Sequence, residues 1–177
     1  MLPQLLLRKN VVVKKWMTER PKFVVDGMLG KLARWLRILG YDVKYYRSMD
    51  DDYLIEIAEK ENRILLTRDN ALYRKSIAKN VDAIFLEEGS RIKNLAKLSK
   101  ALGIALEVDT TISRCPKCNS RIEPVAKNAV KGKVPEKTFR RFKEFWICPN
   151  CGQIYWRGSH WRNIYGVLNE VKKSVSQ

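Results

Sequence analysis

Four cysteines fall in two close pairs, Cys115-Pro-Lys-Cys118 and Cys148-Pro-Asn-Cys151. Each pair is C-x-x-C, and 29 residues separate them. Two such knuckles bring four thiolates onto one tetrahedral Zn²⁺ at Zn–S distances of about 2.3 Å. Asn119 and Gly152 follow the knuckles as turn residues that let backbone N–H groups point at the sulfurs. With all four positions filled by cysteine, none is left for water, and the site reads as structural. The alternative is two redox pairs or four free thiols. A redox pair, however, usually opens a helix beside a βαβ unit, whereas these sit among strand-like runs. Close pairs of this kind suit a reducing cytosol better than disulfides do, so a cytoplasmic location is expected.

Three aspartates form the second constellation. Asp26 ends the apolar run Phe23-Val24-Val25, Asp69 ends Arg63-Ile64-Leu65-Leu66-Thr67-Arg68, and Asp51 opens the helix expected after a second strand. In an open parallel sheet the carboxyl ends of the strands form one rim, where ligands gather. Carboxylates crowded there repel unless a cation compensates, and Mg²⁺ or Mn²⁺ suits oxygen ligands. Such a site activates water and steadies a phosphate under attack. Taken singly, each aspartate also has a local reading: Asp26 and Asp51 as turn or cap residues, Asp69 as the close of a strand–helix turn. Asp50 and Asp52 read as the more solvated members of their run.

Other chemistries drop out. His160 is the single histidine, which excludes a two-histidine acid–base ribonuclease. If the cysteines hold zinc, no thiol nucleophile remains. There is neither a G-x-S-x-G elbow nor a Gly-rich Lys loop for phosphates. For a hydrolase, carboxylates with a metal are the main chemistry left.

The elements that must position these residues alternate. The strand ending at Asp26 is followed by apolar residues at helical spacing, Met28, Leu29, Leu32, Trp35, Leu36 and Leu39, closed by Gly40. Val43–Tyr46 predicts a second strand, Leu54 to Ala58 a helix, Ile64–Thr67 a third strand, Ala71–Ile77 a short helix and Ala83–Leu86 a fourth strand. Ile92 to Leu102 predicts a further helix closed by Gly103. The alternation predicts an α/β domain with a mostly parallel sheet covered on both faces. The pattern stops near Thr110–Ser113. The expected organisation is a basic arm over 1–20 (Met17 being an alternative start), an α/β domain over 21–112, a zinc ribbon over 113–165 and a tail over 166–177.

The formal net charge of +16 favours polyanionic partners. It is uneven: residues 114–177 hold 14 Lys+Arg against 4 Asp+Glu, residues 1–113 hold 21 against 15. The loop over 126–143 is rich in Lys and Arg, with Phe139, Phe142, Phe145 and Trp146 among or beside them. That mixture suits RNA backbone and base stacking, or else a solvated loop over the ribbon's own small core. No run is long and apolar enough to span a membrane, and the N-terminus lacks the cleavage site of a signal peptide.

The stretches Phe-Val-Val-Asp26-Gly-Met-Leu-Gly-Lys-Leu-Ala-Arg34-Trp-Leu-Arg37, Ile-Leu-Leu-Thr67-Arg68-Asp69, Arg114-Cys115-Pro-Lys-Cys118-Asn, Cys148-Pro-Asn-Cys151-Gly and Ile-Tyr155-Trp156-Arg-Gly158-Ser159-His160-Trp together resemble the Mut-seven C-terminal ribonuclease domain family, a PIN-like fold fused to a zinc ribbon. The resemblance covers about residues 22–165. It implies a metal-dependent endoribonuclease acting on single-stranded RNA, with RNA, and the ribosome or tRNA, as candidate partners and no small-molecule cofactor. Asp26 matches the first-strand aspartate, Asp69 that of the Thr-Arg-Asp motif, and Asp51 the acidic residue before the second helix. The fourth acidic residue common in PIN nucleases has no clear match, with Asp82, Glu87 and Glu88 nearest the right stretch. Lys31, Arg34 and Arg68, close in sequence to Asp26 or Asp69, are expected to bind the scissile phosphate. Arg34 and Arg37 otherwise only solvate a helix face. His160 is expected as a substrate contact or a buried hydrogen-bond partner. The rival reading is a non-catalytic RNA- or ribosome-binding protein on the same scaffold.

Overall fold

The computed structural model describes residues 20–176. The arm expected over 1–20 lies, apart from Arg20, outside the described residues. Strand β1 (Phe23–Val25) leads through a 3₁₀ turn (Gly27–Leu29) into α1 (Gly30–Ile38). There follow β2 (Val43–Tyr45), α2 (Asp51–Lys60), β3 (Ile64–Thr67), α3 (Asn70–Ala78), β4 (Ala83–Phe85) and α4 (Arg91–Leu102). The four strands pair in parallel in the order β2-β1-β3-β4. This is the α/β architecture expected from the alternating pattern.

The central strands, β1 and Ile64–Leu66 of β3, are apolar throughout because both faces of the sheet are covered there. Phe23, Val25, Ile64 and Leu66 face Leu32 and Leu36 of α1 and Leu95 and Leu98 of α4. Their neighbours Val24 and Leu65 face the opposite way, onto Leu54, Ile55 and Ala58 of α2 and Leu72 of α3. The strand period of two therefore divides one hydrophobic run between two cores. Gly40 (φ +89°) and Gly103 (φ +64°) take the left-handed conformation expected where α1 and α4 end.

A second, three-stranded antiparallel sheet is built from β5 (Glu123–Val125), β6 (Phe145–Ile147) and β7 (Ile154–Trp156). The basic loop between β5 and β6 holds a 3₁₀ turn (Lys127–Val130) and the short α5 (Glu136–Arg141). Its aromatics are engaged at home: Phe139 and Phe142 pack against Val130, Phe145 and Ile154. Phe145 and Trp146 are buried. Of the two readings of this loop, the contacts favour a cover for the ribbon's own core.

Two boundaries differ from expectation. Of the stretch 166–177, expected as a tail, the described residues, 166–176, instead continue α6 (Ser159–Ser176), which returns to pack on α4. Leu168 and Val171 enter the main core, with Ile164, Val167 and Val175 against it. The spacing 164, 168, 171, 175 is a helical stripe, so the signal was present in the sequence. The boundary near Ser113 is likewise no free linker. The buried Ser113 hydroxyl lies 2.7 Å from the Ile38 carbonyl, and the Arg114 N–H donates to the Arg37 carbonyl at 2.9 Å. Among the described residues no helix is long and apolar enough to cross a membrane.

Candidate metal centre and nucleic-acid groove

The four cysteines meet. Their sulfurs all lie within 4.8 Å of one another, with Cys115–Cys151 at 3.6 Å and Cys118–Cys148 at 3.3 Å. A tetrahedron of thiolates at about 2.3 Å from zinc has edges of about 3.8 Å, and a disulfide would need about 2.05 Å. The set fits a structural metal ion such as zinc. The knuckles are built alike: Asn119 N–H donates to the Cys115 carbonyl and Gly152 N–H to the Cys148 carbonyl, each at 2.9 Å. Asn119 (φ 72°) and Gly152 (φ 70°) both take the left-handed turn this requires. Burial pushes the Cys148 thiol up to about 12. Burial opposes the Cys118 thiolate too, but hydrogen bonds led by the Ser120 backbone bring it down to about 6. A bound cation displaces the protons of both. The Tyr155 hydroxyl lies 3.1 Å from the Cys115 sulfur, and burial together with that sulfur raises its pKa.

Asp26 is almost fully buried where β1 ends. One carboxylate oxygen accepts from Met28 N–H at 2.8 Å. The other accepts from Arg68 N–H at 3.0 Å and from the Thr67 hydroxyl. That hydroxyl in turn accepts from Asp69 N–H at 2.9 Å. Because β1 and β3 are adjacent and in register (Val25 opposite Leu66), the two motif aspartates are joined through one buried threonine. Asp69 is exposed and caps α3, one oxygen accepting from Ala71 N–H and Leu72 N–H. Asp51 is partly buried in the first turn of α2. Asp50 and Asp52 are both exposed, and Asp52 accepts hydrogen bonds from Lys75 and Lys79, which bring its pKa down to about 2.

Among the described residues, the cysteines are the one group of three or more His, Cys, Asp or Glu side chains with ligand atoms this close. Asp26, Asp51 and Asp69 are not gathered in that way, and neither Asp82, Glu87 nor Glu88 joins them. The hard oxygen donors suit Mg²⁺ or Mn²⁺. Mg²⁺ is commonly held by one or two carboxylates, with water and substrate phosphate completing the shell.

Gly27 and Gly30 shape the turn after Asp26. A Cβ on Gly27 would sit 2.3 Å from the Arg47 carbonyl oxygen, and one on Gly30 would sit 2.7 Å from the Tyr45 hydroxyl. The Tyr45 hydroxyl donates to the Gly27 carbonyl at 3.1 Å. The end of β2 thus lies directly against the start of α1.

Beside this turn opens a groove of about 890 Å³. Its cations come from five places: Lys31, Arg34 and Arg37 on α1, Arg47 after β2, Arg68 after β3, Arg91 at the start of α4, and Lys117 from the first knuckle. Among the described residues no Asp or Glu lines it. Such a concentration of one sign raises the local concentration of anions. Among the described residues, the buried Arg68 Nε has no hydrogen-bond partner. Met28 and Arg68 place the groove next to the Asp26–Thr67–Asp69 chain.

Lys31, Arg34 and Arg68 all line this groove. His160 is not among the groove residues; it is exposed in the first turn of α6. Four groove cations were missed, namely Arg37, Arg47, Arg91 and Lys117. Arg47 and Arg91 follow from the rim rule once the strand order is known, since one leaves β2 and the other opens a helix. Arg37 is buried rather than solvating a helix face.

The family model of the Mut7-C RNAse domain matches residues 21–168. The chain belongs to the Mut7-C RNAse domain family. That membership connects it with nuclease-like, RNA-related function and agrees with the resemblance carried by the motifs. Comparison with curated proteins and with solved structures gave no match.

Proposed function

We propose that this Mut7-C chain is a metal-dependent endoribonuclease of the cytoplasm that hydrolyses phosphodiester bonds of single-stranded RNA, with the ribosome or tRNA as candidate partners. The observation carrying the reading is the cationic groove, lined by no Asp or Glu among the described residues, that opens beside the Asp26–Thr67–Asp69 chain. Lys31, Arg34 and Arg68 hold the phosphates, the arginines through their forks of donors. Asp26, fixed by three donors, and Asp69, with one oxygen left outside its cap bonds, are the carboxylates next to the groove-lining Met28 and Arg68, and Asp51 in the first turn of α2 is the third candidate. When bound there, Mg²⁺ or Mn²⁺ supplies a Lewis acid and a more acidic water. The ribbon's zinc is structural. Metal-dependent cleavage of an unstructured RNA, abolished by EDTA in excess over Mn²⁺, is the expected result; binding without cleavage under every metal condition would reject it.

A second reading is favoured by one observation: the three carboxylates are not gathered to ligand spacing, and both oxygens of Asp26 are hydrogen-bonded within the protein. On that reading the chain is a non-catalytic RNA- or ribosome-binding protein, and its salt-dependent affinity is the whole activity.

A further inference from the structure

The ribbon enters the groove through its metal knuckle rather than through its basic loop. Pro116 and Lys117, the residues between Cys115 and Cys118, both line the groove. Their carbonyls accept from Arg37 Nη1 at 3.1 and 3.3 Å. The same guanidinium holds the Val43 carbonyl through Nε (3.1 Å) and Nη2 (2.8 Å). Arg37 therefore ties the knuckle to the edge strand of the α/β sheet.

Asn119, the turn residue of that knuckle, makes a second tie. Its Oδ1 accepts from Val43 N–H and its Nδ2 donates to Asp42, each at 2.9 Å. Asp42 is in turn paired with Arg63 at 2.9 Å. Lys117 is exposed, and its ammonium bonds the side chain of Gln153, two residues past Cys151. Both knuckles thus bear on the position of one groove cation. By contrast, Lys131, Lys133, Lys137 and Arg140 of the basic loop line no part of the groove.

We propose that the first zinc knuckle is one wall of the RNA groove, that Lys117 is a phosphate-positioning residue, and that zinc loading sets RNA affinity through it. The proposal rests on the reading of the groove as an RNA site. Four thiolates held by one ion fix the turn carrying Pro116 and Lys117. Without the ion that turn loses its constraint, and the wall's charge is no longer held over the groove.

The test uses the full zinc-loaded chain and a fluorescein-labelled oligouridylate, by anisotropy without Mg²⁺ or Mn²⁺ so that cleavage plays no part. One phosphate contact to a single strand contributes about 0.7 to the slope of log affinity against log salt, which is about five-fold at 0.1 M relative to 1 M salt. Lys117→Ala should lose about that much while keeping one equivalent of zinc, and Lys137→Ala should bind as wild type. Zinc removal should weaken wild type by at least five-fold and Lys117→Ala by less, since part of the effect is already gone. Weakened binding in Arg34→Ala but none in Lys117→Ala would overturn the knuckle wall and leave the groove standing. Absence of salt-dependent RNA binding by wild type would overturn both.

Discussion

Replacing Asp26 by Asn should destabilise the protein as well as alter its chemistry. The carboxylate is nearly buried and accepts on both oxygens, from Met28 N–H on one side and from Arg68 N–H and the Thr67 hydroxyl on the other. An amide has one acceptor oxygen. Whichever way it is turned, its NH₂ meets a backbone N–H, of Met28 or of Arg68. One hydrogen bond to a charged group is lost, worth about 1.5–3 kcal/mol, and the others become neutral and weaker. The expected cost is about 3 kcal/mol, or a fall in Tm of about 6–12 °C for a chain of this size. Thermal and urea unfolding of the zinc-loaded protein measure it. A Tm within about 2 °C of wild type would refute the reasoning, because it would mean that Asp26 is not held by these donors. Asp69→Asn provides the contrast. Asn caps a helix about as well as Asp, so only the charge at the start of α3 is lost, about 0.5 kcal/mol.

Arg37→Ala leaves the Val43, Pro116 and Lys117 carbonyls without their donor; a loss of about 3 kcal/mol is expected, with faster zinc release to a chromogenic chelator. Gly27→Ala would place a Cβ 2.3 Å from the Arg47 carbonyl oxygen, and should cost about 2 kcal/mol or more in urea unfolding through the forced backbone shift. Burial opposes the Asp42 carboxylate, but Arg63 and Asn119 overcome it and hold its pKa below the ordinary value. A carboxylate with a lowered folded-state pKa stabilises fully above its unfolded value near 3.8 and loses that contribution as pH falls through the folded one. The stability difference between wild type and Asp42→Asn, measured by urea titration at a series of pH values, should therefore be constant above about pH 5 and shrink below about pH 4.

Much of this fold was legible because its signals are local. Apolar runs such as Phe23–Val25 and Ile64–Leu66 can be buried on both faces only in a parallel sheet, and C-x-x-C pairs converge wherever their knuckles fold. The helical stripe of Ile164, Leu168, Val171 and Val175 was equally local, but the charged residues around it read as a tail. The site was harder to see. Lys31, Arg34 and Arg68 lie next to the motif aspartates in sequence, whereas Arg91 and Lys117 reach the groove only through tertiary packing. The aromatics of the basic loop suggested base stacking, yet small domains need their large side chains for a core, and Phe139 and Phe142 serve there. A single histidine in a Gly-Ser-His motif drew attention to His160, but nothing local to a helix start says whether it faces a groove or solvent.

Cleavage by Asp69→Asn is the most direct test of the central claim, because this variant should keep the fold, the zinc and the cationic groove. The assay compares it with wild type on one labelled single-stranded RNA in Mn²⁺, Mg²⁺ and excess EDTA, with anisotropy confirming equal RNA affinity. Removing an oxygen ligand's charge at the reacting phosphate is expected to slow metal-dependent cleavage by about 10²-fold or more, with affinity within about two-fold of wild type. Wild-type cleavage rates in Asp69→Asn, or cleavage that persists in EDTA, would contradict the account.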